Sequence, residues 1–451
     1  MTGTLDPPPE LQSRLNPKPQ AAPGSPVESV TPIDDLNSPL HYNLGPLPES
    51  DLPLLDLLDL SQLDTIHDLD ARFHRIAHEL LHNHLIEVRS PSRTDHLQLL
   101  EIEVYLYKSG CHEDPFTHAS HEQSQCGRWY FHRPPGRTHD PGLCLPTIVS
   151  SNGYRGGSRK GLDLTIGRPG AQATHTSKYF PLPASSTSSS IARPNNDTKD
   201  VLRGGILLRS ARRLSDGHVI NGPSVLVDNI LRMCGAKNIE DLVRTHWQSD
   251  IHAFEPASAA KSGTGVPTGR LSTGKGKGKA RARADPEPAQ GRIYRSPRIG
   301  LDISNATVIA FGGPGIGPAS AAHASSAAWH PRVRFVGRPY RFFVSPSLYT
   351  LNGRGQTFVG VHDALISAGM YADGVAFRGE LVRLTGYMSS TVDKYFEALH
   401  SSVKNGLKGE GMDEWVGPKG KTVHGSPSEW LKMIGTLKGF GAVPGVKVVL
   451  E

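Results

Sequence analysis

The chain has 451 residues, 37% of them hydrophobic, and a formal net charge of +6. Globular domains are roughly 45–50% apolar, so part of this chain is not expected to pack into a core. No apolar run approaches the roughly 20 residues that span a bilayer, and the N-terminus lacks a signal-peptide core. Four cysteines in so long a chain argue against a disulfide framework. The sequence therefore predicts a soluble, intracellular protein.

The charges are distributed unevenly along the chain. Residues 1–70 hold twelve acidic and two basic side chains, whereas residues 261–300 hold ten basic and two acidic ones. Basic segments favour anionic partners, of which nucleic acid is the commonest. The run GKGKGKARARA at 274–284 is also typical of a nuclear import signal, so the nucleus is the predicted location. A surface that is merely soluble would explain the same charges.

Composition divides the chain into three parts. Residues 1–49 are rich in Pro, Ser and acidic residues and are predicted to be disordered. Residues 50–350 are predicted to form one domain with two insertions, the Pro/Ser/Thr-rich segment 169–200 and the basic, flexible linker 256–291. Residues 351–451 differ again in composition and form a predicted, partly helical C-terminal extension whose role the sequence does not indicate.

Hydrophobic periodicity predicts the elements in chain order. Helices are predicted at 71–85, 221–234 and 239–247, and in the extension near 361–368, 390–404 and 426–437. Strands are predicted at 97–107, 126–133, Leu162–Ile166, 204–209, 293–301 and 333–344. Pro223 suits the first turn of the second helix and Gly235 suits its end.

The most informative stretch is 97–121, which reads LQLLEIEVYLYKSGCHEDPFTHASH. Its first half alternates like a strand, so that one face carries only apolar side chains. The other face carries Glu101, Glu103, Tyr105 and Tyr107. Two carboxylates on a strand are often only a solvated face, and the alternation alone leaves a catalytic role open.

Glu103-x-Tyr105 followed by Glu113-Asp114-x-x-x-His118 resembles the active-site segment of the alkyladenine (methylpurine) DNA glycosylases. Further islands occur in the order of that family's motifs: LDLT at 162–165, GGILLR at 204–209, NGPSVL at 221–226, RIGL at 298–301 and RPYRFFV at 338–344. The resemblance implies a mixed α+β fold, with a single-domain core around a curved, mainly antiparallel sheet. It also implies hydrolysis of damaged purines from double-stranded DNA by a monomer that needs no cofactor.

The chemistry explains why carboxylates would be needed. Cleavage of an N-glycosidic bond builds oxocarbenium character on the sugar, which a carboxylate stabilises while it orients water. Glu103 matches the family's catalytic glutamate, and Glu101 on the same face is the natural control. The resemblance implies that Arg209 holds the water and the carboxylate, and that the backbone carbonyl of Val344 is a second water contact.

A purine must leave the duplex before its glycosidic bond can be cut, so a base pocket with aromatic faces is expected. Tyr105 and His118 match the family's stacking pair, and Tyr130 is a candidate for a further aromatic face as well as for plain core packing. Asp163 stands where well-known members carry an asparagine that rejects guanine. An ionised Asp163 would accept hydrogen bonds from a cationic base.

A basic glycine loop, RGGSRK at 155–160, is the predicted DNA contact. Arg155, Arg159 and Lys160 are expected to meet phosphates, although Arg155 or Arg159 could instead pair only with Asp163. Tyr154, which precedes the loop, is a candidate for the wedge that fills the gap left by the extruded base.

Two other classes of function remain open. A catalytically silent nucleic-acid-binding protein could keep the same scaffold. A zinc-stabilised interaction protein would use the dense Cys and His residues of one region, although no pair has the spacing of common zinc modules and no metal site is predicted. That region contains Cys111, His112, His118, His121, Cys126, His132, His139 and Cys144.

Overall fold

The computed structural model describes a large part of the chain. The described ranges are 52–90, 93–134, 153–169, 201–254, 269–273, 291–304, 331–349, 351–372, 374–416, 420–423 and 425–441. The predictions for 1–49 and for nearly all of 169–200 lie outside these ranges. Within them, no helix is both long and apolar enough to cross a membrane.

The described residues form an α+β fold, as the sequence predicted. The helices are α1 (Leu54–Leu57), α2 (Ile66–His78), α3 (Pro223–Cys234), α4 (Ile239–Asp241), α5 (Pro331–Val336), α6 (Arg354–Ser367), α7 (Val375–Thr385), α8 (Ser389–Leu407) and α9 (Pro427–Gly439). The strands are β1 (His84–Arg89), β2 (Thr94–Lys108), β3 (His112–Glu113), β4 (Trp129–Phe131), β5 (Leu162–Ile166), β6 (Leu202–Arg213), β7 (Val219–Asn221), β8 (Gly269–Thr273), β9 (Tyr294–Ser296) and β10 (Arg341–Phe343).

Local sequence explains where these helices begin and end. Thr65 caps α2 by accepting a hydrogen bond from the Asp68 N–H. Pro223 occupies the first turn of α3, where a missing N–H costs little, and Gly235 ends the helix with φ of 70°. The predicted 71–85 helix starts earlier, at Ile66, and passes at Glu79 into a π-helical turn.

The long strand β2 organises the sheet. The main strand order is β4-β5-β6-β2-β1-β8, and β10 pairs with β2 on the edge opposite β6. All pairings between the named strands are antiparallel, which confirms the mainly antiparallel sheet. β2 therefore pairs with strands that are far apart in the chain, from β1 to β10.

The sheet separates two hydrophobic clusters. Leu100, Ile102 and the other apolar residues of β2 belong to the first cluster, together with α2 and α3. The second cluster is formed by the C-terminal helices with residues such as Tyr294 and Tyr349. The neighbouring residues Phe342 and Phe343 of β10 belong to different clusters, because successive side chains of a strand point to opposite faces. The C-terminal helices thus cover part of the face that carries the carboxylates.

Three local predictions are corrected by the structure. Pro331–Val336 is a helix, although 333–344 was predicted to be a strand throughout. Val375–Thr385 is a helix that the sequence reading did not predict. Gly269–Thr273 lies inside the predicted flexible linker, yet it forms β8 and pairs with β1. Helices in the extension near 361–368, 390–404 and 426–437 are confirmed.

Candidate active site on the polar face of the sheet

A bulge in β6 brings the predicted catalytic groups together. Leu208 pairs with Ile102 and Ser210 pairs with Glu101, so Arg209 is the extra residue between them. A bulge of this kind re-aims the side chain of its extra residue. Arg209 donates from Nε to Glu101 Oε1 and from Nη1 to Glu103 Oε2, both at 3.2 Å. One guanidinium therefore bridges the two carboxylates, which lie on the same face as predicted.

Glu103 is fully buried and is held by three donors. Its Oε2 accepts from Arg209 and from the Tyr105 hydroxyl at 2.9 Å, and its Oε1 accepts from the Ile299 N–H at 2.7 Å. A carboxylate offers about four acceptor positions, so these bonds leave about one for a water molecule. Burial and Glu103 raise the pKa of the Tyr105 hydroxyl well above its ordinary value, which keeps it a donor.

Glu101 has different surroundings. It is 1% exposed, and it accepts from Arg341 Nε at 2.6 Å and from Ser210 Oγ at 2.6 Å in addition to Arg209. Burial acts to raise the pKa of the Glu101 carboxyl, but Arg341 and Arg209 outweigh it and the pKa lies below its ordinary value. Arg341 also donates to Thr357 at 3.1 Å, which ties this cluster to α6.

The sequence motifs at 113–118 and 298–301 contact each other through Arg298. This arginine is fully buried, pairs with Asp114, and donates to the Val104 carbonyl at 3.0 Å. Its guanidinium lies 4.4 Å from the centroid of the Tyr105 ring. One face of Tyr105 is therefore covered by a cation of the protein, and only the rest of the ring is left to stack on a base.

Asp163 lies in line with Glu103 across the sheet. Tyr130, Asp163, Leu207 and Glu103 are successive partners across β4, β5, β6 and β2, and directly opposed residues of antiparallel strands share a face. Gly205 leaves room beside Asp163, because a Cβ on this glycine would lie 2.6 Å from Asp163 Oδ2. Asp163 therefore turns toward the candidate site, as predicted.

The partners of Asp163 differ from those considered in the sequence. Asp163 is 2% exposed; its Oδ1 lies 2.8 Å from His132 Nε2, and its Oδ2 accepts from Gln123 Nε2 at 3.1 Å. Gln123 is oriented by the Ser120 N–H, which donates to its Oε1 at 3.2 Å. Neither Arg155 nor Arg159 pairs with this carboxylate. Its two oxygens are occupied by Gln123 and by His132, which directly follows β4.

His118 adjoins the same group. Its ring centroid lies 4.4 Å from that of His132 and 6.4 Å from that of Tyr130. Burial, with His132 and Arg155 nearby, lowers the pKa of His118 to about 4, although Asp163 acts in the opposite direction. The His118 imidazole is therefore neutral at pH 7.

The glycine loop is only partly available for a DNA contact. Arg159 is exposed, and the half-buried Arg155 donates from Nε to the Arg133 carbonyl at 2.8 Å. Lys160 pairs with Asp228 of α3. Tyr154 packs under the Arg133 guanidinium, 3.9 Å from its ring centroid. Tyr154 also contacts Phe131, which points to the opposite face from Tyr130, so it does not lie on the Glu103 face.

The structure gives Val344 no contact with Glu103 among the described residues, so its role as a second water contact stays a prediction. The register Arg341↔Glu103 places Val344 beyond Glu101, where its N–H donates to the Leu100 carbonyl at 3.0 Å. Its own carbonyl accepts from the Tyr349 hydroxyl at 3.0 Å. The backbone that reaches Glu103 belongs instead to Ile299, in the RIGL island.

Sequence reasoning also missed five side chains that shape the site. Arg298 and Arg341 lay in recognised islands, so their positions could have been noted, but their pairing with Asp114 and Glu101 could not. His132 was noted only as one of the residues of the His- and Cys-rich region, and Gln123 and Thr357 carried no signal of their own. The missed side chains are Gln123, His132, Arg298, Arg341 and Thr357.

The His- and Cys-rich region forms no metal cluster in the described part of the chain. His112, for example, is fully buried, with Nδ1 2.9 Å from the Leu106 carbonyl and Nε2 2.8 Å from the Tyr340 hydroxyl. His139 and Cys144 lie outside the described residues. His112 therefore serves in packing and hydrogen bonding.

Comparison with known proteins gives a limited result. No family model matches the chain. A stretch of 145 residues is 30% identical to an uncharacterized protein of Acanthamoeba polyphaga mimivirus, covering 32% of this chain and 51% of the viral protein. The chain thus spans about half the length of that relative. The fold and the site define an α+β protein with a buried carboxylate–arginine centre on one face of an antiparallel sheet.

Proposed function

We propose that the protein is a DNA glycosylase of the alkyladenine (methylpurine) type, which hydrolyses the N-glycosidic bond of an extruded, alkylated purine in base excision repair. The observation that carries the proposal is the Glu103 centre: a buried carboxylate fixed by Arg209, Tyr105 and the Ile299 N–H. With about one acceptor position left, Glu103 is suited to hold a water molecule and to stabilise positive charge on the sugar.

The neighbouring groups support a purine as the substrate. Tyr130 and a neutral His118 offer rings on the same side of the sheet as Glu103. Asp163 places a carboxylate between them and the centre, packed over Gly205. A carboxylate favours a cationic base, and alkylation at ring nitrogens makes purines cationic. Residues 274–284 add a basic run that would favour DNA and import into the nucleus.

A catalytically silent nucleic-acid-binding protein is the second candidate, and one observation favours it. Glu103 has no exposed surface, so a sugar reaches it only after the covering segment around Ile299 moves. Asp163 likewise has both oxygens engaged by His132 and Gln123. A protein that only binds nucleic acid would not need to break these hydrogen bonds.

One experiment separates the two candidates. The full chain is incubated with duplexes that each carry a single alkylated or deaminated purine, and abasic sites are detected by strand cleavage in alkali. Release of at least one lesion base, absent with undamaged duplex, supports the glycosylase. Binding of the lesion duplexes with no abasic site from any of them would contradict it and leave the silent binder.

A further inference from the structure

A cleft lies on the far side of the Ile299 segment from Glu103, between that segment, the start of α6 and the start of α9. Its volume is about 190 Å³, below the roughly 300–1,000 Å³ of pockets for whole small molecules. It is therefore of a size for a small group rather than for a nucleoside. Its lining includes Ile299, Asn352, Arg354, Gln356, Ser426 and Trp430.

Arg354 gives the cleft its charge. Its guanidinium lies 4.8 Å from the Tyr387 ring centroid, and its Nε is buried without a hydrogen-bond partner in the described residues. Among the described residues, no acidic side chain lines the cleft and no ion pair includes Arg354. A half-buried guanidinium without a carboxylate favours an anion from outside.

Gln356 is a second polar group of the lining. The residue is 7% exposed, and its amide forms no hydrogen bond with the described residues. Trp430, which is 3% exposed, likewise has an indole N–H without a partner. Buried polar groups are nearly always paired, so the unpaired Trp430 N–H points to a ligand with a hydrogen-bond acceptor. The Gln356 amide offers such a ligand a further hydrogen bond.

The position of the cleft connects it to the Glu103 centre. Gly353 has φ of 68° and packs directly on Ile299, because a Cβ on Gly353 would lie 2.1 Å from that side chain. The Ile299 N–H, in turn, donates to Glu103. The N-terminal end of α9 forms another wall, and its positive dipole end favours negative charge, although Ser426 already caps one N–H.

We propose that this cleft binds a phosphate group, with Arg354 supplying the charge and Gln356 a hydrogen bond. Its source is the backbone of the bound nucleic-acid strand, so that the C-terminal helices hold DNA one segment away from the centre. Only this choice of source rests on the proposed function; free phosphate or a nucleotide would use the same groups.

The test compares two arginines that both lie over aromatic rings. Arg354→Gln removes the cleft charge. Arg378→Gln is the matched control, because Arg378 lies 4.4 Å over Phe396 but is paired with Asp393 at 2.8 Å and does not line the cleft. Gln356→Met removes the amide while keeping its length, and serves if Arg354→Gln impairs folding.

The first measurement is the affinity for undamaged duplex as a function of salt concentration. Each phosphate contact contributes about 0.9 to the slope of log K against log salt. Arg354→Gln should reduce that slope by about 1 and weaken binding about tenfold, Gln356→Met should weaken binding at an unchanged slope, and Arg378→Gln should change neither. Unchanged binding by both Arg354→Gln and Gln356→Met would overturn the assignment of the cleft to the DNA backbone, and absence of phosphate binding in the next measurement would overturn the phosphate site itself.

The second measurement is calorimetric titration with inorganic phosphate. Phosphate binding that Arg354→Gln abolishes, with no effect of this variant on DNA, would support the phosphate site and overturn its assignment to the DNA backbone. Because neither assay measures base release, failure of the glycosylase proposal is seen separately, in the lesion duplexes.

Discussion

The polar face of the sheet has two ends that differ in chemistry. At the Glu101 end, the carboxylates of Glu101 and Glu103 meet the guanidinium groups of Arg209 and Arg341, so that two negative charges balance two positive ones. At the Asp163 end, one carboxylate contacts an imidazole and an amide, those of His132 and Gln123, and it has no guanidinium partner among the described residues. The first end lies under the C-terminal helices, and the second lies against the turn that carries His118.

This difference indicates that one end stabilises the fold and the other is suited to bind a ligand. A buried set of balanced charges costs much when one member is removed, and it fixes the elements that supply its members. Arg341 connects β10 to α6 in this way. Groups that are uncharged or singly charged can exchange their hydrogen bonds for those of a ligand. Glu103 combines features of both ends. It shares Arg209 with Glu101, but its other donors are a hydroxyl and a backbone N–H.

The largest expected effect follows from changing Glu103. Glu103→Gln keeps the shape of the side chain and removes its charge, so base release should fall by about 10³, within the range of general acid–base contributions. Binding to a lesion duplex should remain near normal. Single-turnover cleavage and equilibrium binding measure the two quantities. If Glu101→Gln abolished release while Glu103→Gln did not, the assignment of roles along β2 would be wrong.

The next effect concerns stability at the opposite end. Glu101→Gln leaves Arg341 buried without its carboxylate, so the free energy of unfolding should fall by about 3 kcal/mol, as is typical when one partner of a buried pair is removed. Urea denaturation measures the change. In a double-mutant cycle with Arg341→Met, the double variant should lose less than the sum of the single losses. If the two losses were strictly additive, Glu101 and Arg341 would not be energetically coupled and the balanced set of charges would be contradicted.

Much of this arrangement was open to prediction from local pattern. The alternation in β2 correctly placed Glu101 and Glu103 on one face and Leu100 and Ile102 on the other. The strand Leu162–Ile166 was predicted with the bounds that the structure has. Such features depend on side-chain period and on neighbours in sequence, and the sequence states both directly.

What could not be predicted depends on register and on distant pairs. The bulge at Arg209 adds one residue to β6 without any Gly or Pro to signal it. The choice between Val344 and Ile299 as the backbone beside Glu103 turned on whether β10 pairs with β2 in one register or another. The covering of the carboxylate face by α6 rests on the bond between Arg341 and Thr357, which no local pattern contains.

A smaller effect tests the Asp163 end. A carboxylate beside the base should favour cationic 3- or 7-alkylated purines over neutral hypoxanthine or etheno-adenine. We expect Asp163→Asn to reduce the ratio of the two release rates about tenfold, which corresponds to about one pKa unit of interaction. Single-turnover rates on matched duplexes measure the ratio. Arg159→Gln is the control, since Arg159 is exposed and does not pair with Asp163.

Faster release of the neutral lesions by the unchanged protein would contradict the role of the Asp163 charge. An Asp163→Asn variant with an unaltered ratio would do the same, and would assign Asp163 to holding His132 and Gln123 in place.

The last effect is a pH dependence, small per pH unit, that tests whether His118 is neutral in the folded protein. The pKa of His118 is lowered from 6.5 to about 4, mainly by burial, so the folded protein binds fewer protons than the unfolded chain between these values. The stability that a neutral His118 contributes is complete above pH 6.5 and is lost as the pH falls toward 4. One such group changes the free energy of unfolding by about 1.4 kcal/mol per pH unit at most.

His118→Gln should flatten the measured dependence in this window by about 1 kcal/mol per pH unit. His67→Gln, an exposed histidine of α2, should leave it unchanged. If His118→Gln had no more effect than His67→Gln, burial would not hold His118 neutral at mildly acidic pH, and its assignment as an uncharged ring at the Asp163 end would fail.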